Sequence, residues 1–171
     1  KLTNKYCEII GNGLNSYNYK KNLILDAGNS GTLGRLLLGL LVHSNEKIKL
    51  IGDKSLSKRD FSRVTKPLEK FGATFYSNKK NGLPLSIMGT GQAKSIKYHE
   101  NKGSAQCKSS VMLAALNTDG ETFIKAKKSR DHTELLFKYL KIPIKILKTK
   151  KFDFIKIKKT KKIKPFNYTI P

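Results

Sequence analysis

Residues 23–42, Leu-Ile-Leu-Asp-Ala-Gly-Asn-Ser-Gly-Thr-Leu-Gly-Arg-Leu-Leu-Leu-Gly-Leu-Leu-Val, constrain the fold more than any other stretch. A short apolar run meets a Gly/Asn/Ser loop, and the loop opens directly into a strongly apolar segment. That order predicts a strand over 23–25 and a helix over 32–42, apolar nearly all round and therefore buried. Gly28 and Gly31 permit tight or left-handed backbone. The first N–H groups of such a helix lack intrahelical acceptors and, with the helix dipole, face whatever lies in front of the loop. The loop thus has the chemistry of an anion site. Arg35, four residues past Gly31, adds a planar fork of donors for phosphate or carboxylate. The same turn also reads as a plain strand-to-helix connection. Its spacing is neither G-x-G-x-x-G nor G-x-x-x-x-G-K-[ST], so neither a dinucleotide nor a nucleoside triphosphate is indicated.

Strand and helix signals alternate along the rest of the chain. A strand over 47–51 leads into a loop over 52–60, then a helix over about 62–71 with Pro67 near its first turns or kinking it. Strands over 73–76 and 83–88 pair around a turn at 78–82. The order repeats as strand 95–98, apolar helix 104–116, strand 121–126, polar loop 127–132, helix 133–140, and strands 142–147 and 152–156. Both halves read βαβαββ, and Arg59 and Arg130 fall in equivalent loops (130 − 59 = 71 residues apart). A period that long signals an internal duplication rather than a short solenoid repeat. Residues 1–22 read as the last strand of an earlier unit, 23–92 as a second unit and 93–171 as a third. Starting at Lys1 and ending on Pro171, the chain reads as a fragment. The expected class is α/β (α+β), built from repeated βαβαββ units.

The net charge of +23 raises nucleic acid or an acidic membrane as partner, yet 31 of the 35 basic residues are lysines spread throughout. Scattered lysine heads in solvent are the simpler reading, and no nucleic-acid partner is expected. Nine lysines lie within 148–164, but the interleaved apolar residues of 152–158 suit a half-buried edge strand with lysines outward. The four arginines (Arg35, Arg59, Arg63, Arg130) are the sharper signal. No run approaches the roughly 18 apolar residues of a membrane span, and no signal peptide is visible. Two cysteines, Cys7 and Cys107, fit a reducing cytoplasm. His43, His99 and His132 show no metal-ligand spacing, so neither metal nor cofactor is expected.

Four loops lead helices and gather donors: Asn29, Ser30, Thr32, Arg35, Arg59, Ser104, Gln106, Lys108, Ser129 and Arg130. This set suits an anionic, hydroxylated small molecule. General acid/base candidates are few: Asp26, Asp53, Asp131, His132 and Glu134. Asp131 and Glu134 bracket a helix start and read as caps. His132 reads as a packed or capping histidine, and Cys107 as a small apolar residue on a buried helix.

In order and spacing, residues 25–37 (Leu-Asp-Ala-Gly-Asn-Ser-Gly-Thr-Leu-Gly-Arg-Leu-Leu), 52–59 (Gly-Asp-Lys-Ser-Leu-Ser-Lys-Arg), 103–110 (Gly-Ser-Ala-Gln-Cys-Lys-Ser-Ser) and 128–134 (Lys-Ser-Arg-Asp-His-Thr-Glu) resemble the 5-enolpyruvylshikimate-3-phosphate synthase family. The resemblance extends over nearly the whole chain, including 166–171. It implies one domain of a two-domain fold, with βαβαββ units around a pseudo-threefold axis and the first unit mostly missing. The implied activity transfers the enolpyruvyl group of phosphoenolpyruvate to the 5-hydroxyl of shikimate-3-phosphate, in aromatic amino-acid biosynthesis, in a cytoplasmic enzyme monomeric at full length. By the same resemblance Gly31, Thr32, Arg59 and Gln106 contact phosphoenolpyruvate. Ser104, Ala105, Gln106, Ser129 and Arg130 contact shikimate-3-phosphate, and Asn29, Arg35 and Lys108 support them. Gly31 has the small-residue form associated in the family with glyphosate sensitivity. Asp60 departs from the family's usual proline and sets a carboxylate beside Arg59. The resemblance places the acid/base groups beyond Pro171 and an early Lys-Ser…Arg motif before Lys1, so the 171-residue chain alone is expected to be inactive. A related transferase acting on a UDP-amino sugar would carry a reactive cysteine on a flexible loop, which Cys107 does not match. A basic RNA-binding module is the remaining alternative.

Overall fold

A computed structural model describes residues 8, 10, 11, 13, 14, 21–77 and 81–166. Most of the expected strand in 1–22, residues 78–80 of the expected turn and all but Phe166 of the closing segment lie outside the described residues.

The first half runs β1 (Ile24–Asp26), α1 (Gly31–Leu41), β2 (Lys47–Ile51), a single 3₁₀ turn (Leu56–Lys58), α2 (Ser62–Glu69), β3 (Thr74–Ser77) and β4 (Leu85–Met88). The second runs β5 (Lys97–Glu100), α3 (Ala105–Ala115), β6 (Glu121–Lys127), α4 (His132–Tyr139), β7 (Ile144–Lys148) and β8 (Phe152–Lys158). Each half makes a four-stranded sheet, ordered β1-β2-β4-β3 and β5-β6-β8-β7. The pairing rules are the same in both. The first two strands run parallel, with Leu25 opposite Leu50 and Tyr98 opposite Ile124. The last two form an antiparallel ladder docked antiparallel on the second. The parallel pairs require a crossover, and α1 and α3 supply it.

Sheet and helix share one core. Leu38 and Leu41 of α1, Ile48 and Leu50 of β2, Val111 and Met112 of α3, and Ile155 and Ile157 of β8 are all buried in it. Helices α1 and α3 make the most extensive helix–helix contact. They run in the same direction, since contacts advance together from Thr32–Gln106 at one end to His43–Ala114 at the other. A Cβ on Gly39 would overlap the Ser110 carbonyl, so the missing side chain is what lets the two helices approach. Helix α3 buries Lys108, Ser109 and Ser110 along with its apolar residues.

Several boundaries differ from the sequence expectation. β4 begins at Leu85, because Pro84 has no N–H to give the ladder. β5 ends at Glu100, two residues later than expected, because the Glu100 carboxylate turns inward to accept from Lys102 N–H and Gly103 N–H. Pro67 is the sixth residue of α2, and the helix stops two residues after it.

The alternating strand near the C-terminus is half-buried as expected, with Asp153, Ile155 and Ile157 inward. It is not an edge. β8 lies between β6 and β7, and the edge position goes to β7, because the final hairpin docks by its second strand. Exposed Lys145 and Lys148 are the lysines that line the edge strand itself.

Candidate functional site

Both crossover helices start in the same way. Ser30 (φ −84°, ψ 97°) accepts Leu33 N–H on its hydroxyl, and Ser104 (φ −92°, ψ 106°) accepts Cys107 N–H. Each serine satisfies one orphan donor of the first turn. Gly28 sits at φ +53°, and its N–H donates to the Asp26 carboxylate, which closes the turn ahead of α1. Because the helices run side by side in one direction, their positive N-terminal ends lie together.

A hydrogen-bonded chain crosses that end. Gln106 Nε2 donates to Thr32 Oγ1 at 2.7 Å, and Arg35 Nη1 donates to Gln106 Oε1 at 2.7 Å. Arg35 Nη2 reaches the Asp60 carbonyl at 3.3 Å, and its guanidinium lies 5.2 Å above the Phe61 ring. Gly31 leaves open the space into which Arg35 and Arg59 turn. A Cβ there would lie 2.9 Å from Arg35 Nη1 and 3.2 Å from Arg59 Nη1. Two guanidinium groups therefore converge over one glycine at a helix N-terminus. Among the described residues neither takes part in an ion pair, and the exposed Arg130 is likewise without one. Unpaired cations at a helix N-terminus are suited to an anion.

The carboxylates nearby are occupied. Asp53 accepts from Leu56 N–H at 2.7 Å and from the Asn29 amide. Leu56 N–H foremost, then Asn29 and the Arg59 charge, hold its carboxyl below the usual range. Asp60 does not turn toward Arg59. Its carboxylate accepts Ser62 N–H at 2.7 Å at the start of α2, and its carboxyl is held low mainly by Ser62.

The capping role expected of Asp131 and Glu134 is corrected. Asp131 stands at the N-cap of α4 but makes no capping hydrogen bond, because its carboxylate pairs with Lys148 at 2.7 Å. That bond lowers the Asp131 carboxyl and raises the Lys148 ammonium. Glu134 lies in the first turn of α4, buried against Lys108. His132, expected to be packed or capping, is exposed on the first residue of α4. Cys107 is buried within α3.

All four predicted loops are thus linked. Asn29 ties to Asp53, Thr32 and Arg35 to Gln106, Arg35 to Asp60, and Lys108 to the Arg130 carbonyl. Ser104 and Ala105 form the start of α3 beside Gln106. Ser129 Oγ is buried with no hydrogen-bond partner among the described residues. Sequence reasoning missed Phe61 beneath Arg35 and Glu100, which pairs with Arg63 at 3.3 Å and ties down the backbone before Ser104. The only sequence signal for Glu100 is an acid before Asn-Lys-Gly at a strand end. Among the described residues no group of three or more His, Cys, Asp or Glu is placed to hold a metal ion, and no helix is long and apolar enough to cross a membrane.

The family model for EPSP synthase (3-phosphoshikimate 1-carboxyvinyltransferase) matches residues 1–171. A 3-phosphoshikimate 1-carboxyvinyltransferase of Desulforamulus reducens is 38% identical over 171 residues, which is 99% of this chain and 38% of the relative. One from Paramagnetospirillum magneticum is 47% identical over 116 residues, covering 67% of this chain and 26% of the relative. A solved EPSP synthase structure from Acinetobacter baumannii superposes with a TM-score of 0.74 at 35% identity, over 82% of this chain and 31% of the solved one. The chain therefore spans well under half the length of the relatives it matches.

Proposed function

The chain belongs to the EPSP synthase (3-phosphoshikimate 1-carboxyvinyltransferase) family, and on that premise we propose that it forms one substrate-holding wall of an enolpyruvyl transferase. The reaction joins the 5-hydroxyl of shikimate-3-phosphate to C2 of phosphoenolpyruvate and releases phosphate. The observation that carries this reading is the convergence of Arg35 and Arg59 over Gly31, beside the Thr32–Gln106 bridge between two helix N-termini.

Both substrates are polyanions, and bringing them together in water is opposed by their charge. Fixed guanidinium groups and helix N-termini offset that repulsion and hold the reactants at attack distance. Phosphoenolpyruvate fits the Gly31–Thr32–Arg59 corner. Shikimate-3-phosphate fits the start of α3 at Ser104, Ala105 and Gln106, with Ser129 and Arg130 at its far side. Gln106 stands at the junction of the two. Arg35 orients its amide, with the oxygen toward the guanidinium and the NH₂ toward Thr32. The engaged state of Asp53, Asp131 and Glu134 supports placing the proton-transfer groups elsewhere in the full-length protein. The buried free thiol of Cys107 suits a reducing cytoplasm, and a monomeric full-length enzyme belongs to the same reading. Residues 23–92 and 93–171 would be the second and third βαβαββ units of the domain.

Calorimetry on the complete gene product tests these assignments. Arg130→Ala is expected to weaken shikimate-3-phosphate binding about tenfold or more, and Arg59→Ala to do the same for phosphoenolpyruvate. Unchanged affinities in both variants would reject the site.

A further inference from the structure

We infer that Lys108 and Glu134 are positioning residues, a buried clamp that sets the Ser129–Arg130 loop against the start of α3. The inference rests on the functional reading above and extends it to two residues that touch no substrate. Lys108 is 0% exposed and Glu134 2%, and Lys108 Nζ meets Glu134 Oε1 at 2.5 Å. The same ammonium donates to the Arg130 carbonyl at 3.1 Å. A parallel contact joins Ser109 Oγ to Thr133 Oγ1 at 2.7 Å.

Stability alone does not account for such a pair. Withdrawing two charges from water costs about as much as their attraction returns, and well-packed apolar residues of similar volume do as well or better. Glu134 Oε2 is moreover buried without a hydrogen-bond partner among the described residues, so the carboxylate is only half satisfied. What the pair does that apolar residues would not is hold a backbone carbonyl. Lys108 lies two residues past Gln106 on α3, while Arg130 lies two residues before α4. The clamp therefore joins, through one ammonium, the two groups proposed to hold shikimate-3-phosphate. It does not reach the Gly31–Arg59 corner.

The test compares wild type, K108M and K108M/E134L in the complete gene product. The double variant is needed because K108M leaves Glu134 as a lone buried charge, which can unfold the protein by itself. In the double variant we expect near-wild-type thermal stability. Amide hydrogen exchange at residues 128–131 should quicken while β6 stays protected. The KM for shikimate-3-phosphate should rise about ten- to hundredfold, with that for phosphoenolpyruvate nearly unchanged. A stable double variant with wild-type exchange at 128–131 and wild-type KM values would overturn the inference, as would equal rises in both KM values. If the wild type turns over neither substrate, the functional reading fails, and the exchange comparison still decides whether the pair clamps the loop.

Discussion

At Gly31 one added carbon would press on the two arginines of the candidate site. In Gly31→Ala the methyl would press on Arg35 Nη1 and Arg59 Nη1, which are the ends of flexible side chains and can move aside. Stability should change by no more than about 0.5 kcal/mol, while on the proposed function the complete gene product should lose about tenfold in phosphoenolpyruvate affinity as the fork is displaced. Calorimetry beside a thermal melt separates the two effects. His43 makes a different prediction. Burial lowers its pKa below the usual 6.5, against a partial offset from its hydrogen bond to the Ala114 carbonyl at 2.8 Å. The unfolded chain then binds a proton more readily than the folded one, so this contribution is fully present above about pH 6.5 and is lost as pH falls through the lower folded value. Urea titrations across that range should show a loss of stability on acidification that is smaller in His43→Gln. At this scale much of the site was legible. Motif and order singled out Gly31, Thr32, Arg59 and Gln106, and the structure brings them together. The partner of Asp131 was not legible, because Asp131 and Lys148 are 17 residues apart, and no local rule pairs them.

Helices α1 and α3 were readable from their apolar runs, and the structure adds a capping serine at the start of each. Ser30→Ala and Ser104→Ala should each cost about 1 kcal/mol, seen as a lower denaturation midpoint with an unchanged slope. Gly39→Ala tests the packing between the helices. Its Cβ would overlap the Ser110 backbone carbonyl, which cannot rotate away, so the loss should reach roughly 1–3 kcal/mol. The strand β8 shows where local pattern stops. Alternation of lysine with apolar residues identified a half-buried strand, but both a central and an edge strand carry that pattern. Its neighbours were decided by how the β7–β8 hairpin docks on β6.

The whole molecule carries a net charge of +23, and self-repulsion at that level opposes the compact state. Adding salt should therefore raise the unfolding temperature until the Debye length falls well below about 10 Å. If the arginine corner is the proposed anion site, phosphate should raise it further than chloride at equal ionic strength by binding the folded state. Scanning calorimetry in the two salts measures the difference, and equal curves would argue against an anion site in the folded chain. The sequence by itself determined the alternating elements and helix-leading loops, which are written in residues close together along the chain. It also determined the duplication and the family, which are written in the order in which such local patterns recur. Only the tertiary structure decided that β8 is central, that Asp60 turns away from Arg59, and that Lys108 and Glu134 are a buried pair. Those outcomes depend on which distant residues share a boundary once the sheets and helices have packed. Burial then determines whether a charge faces water, an anion or a partner across the core.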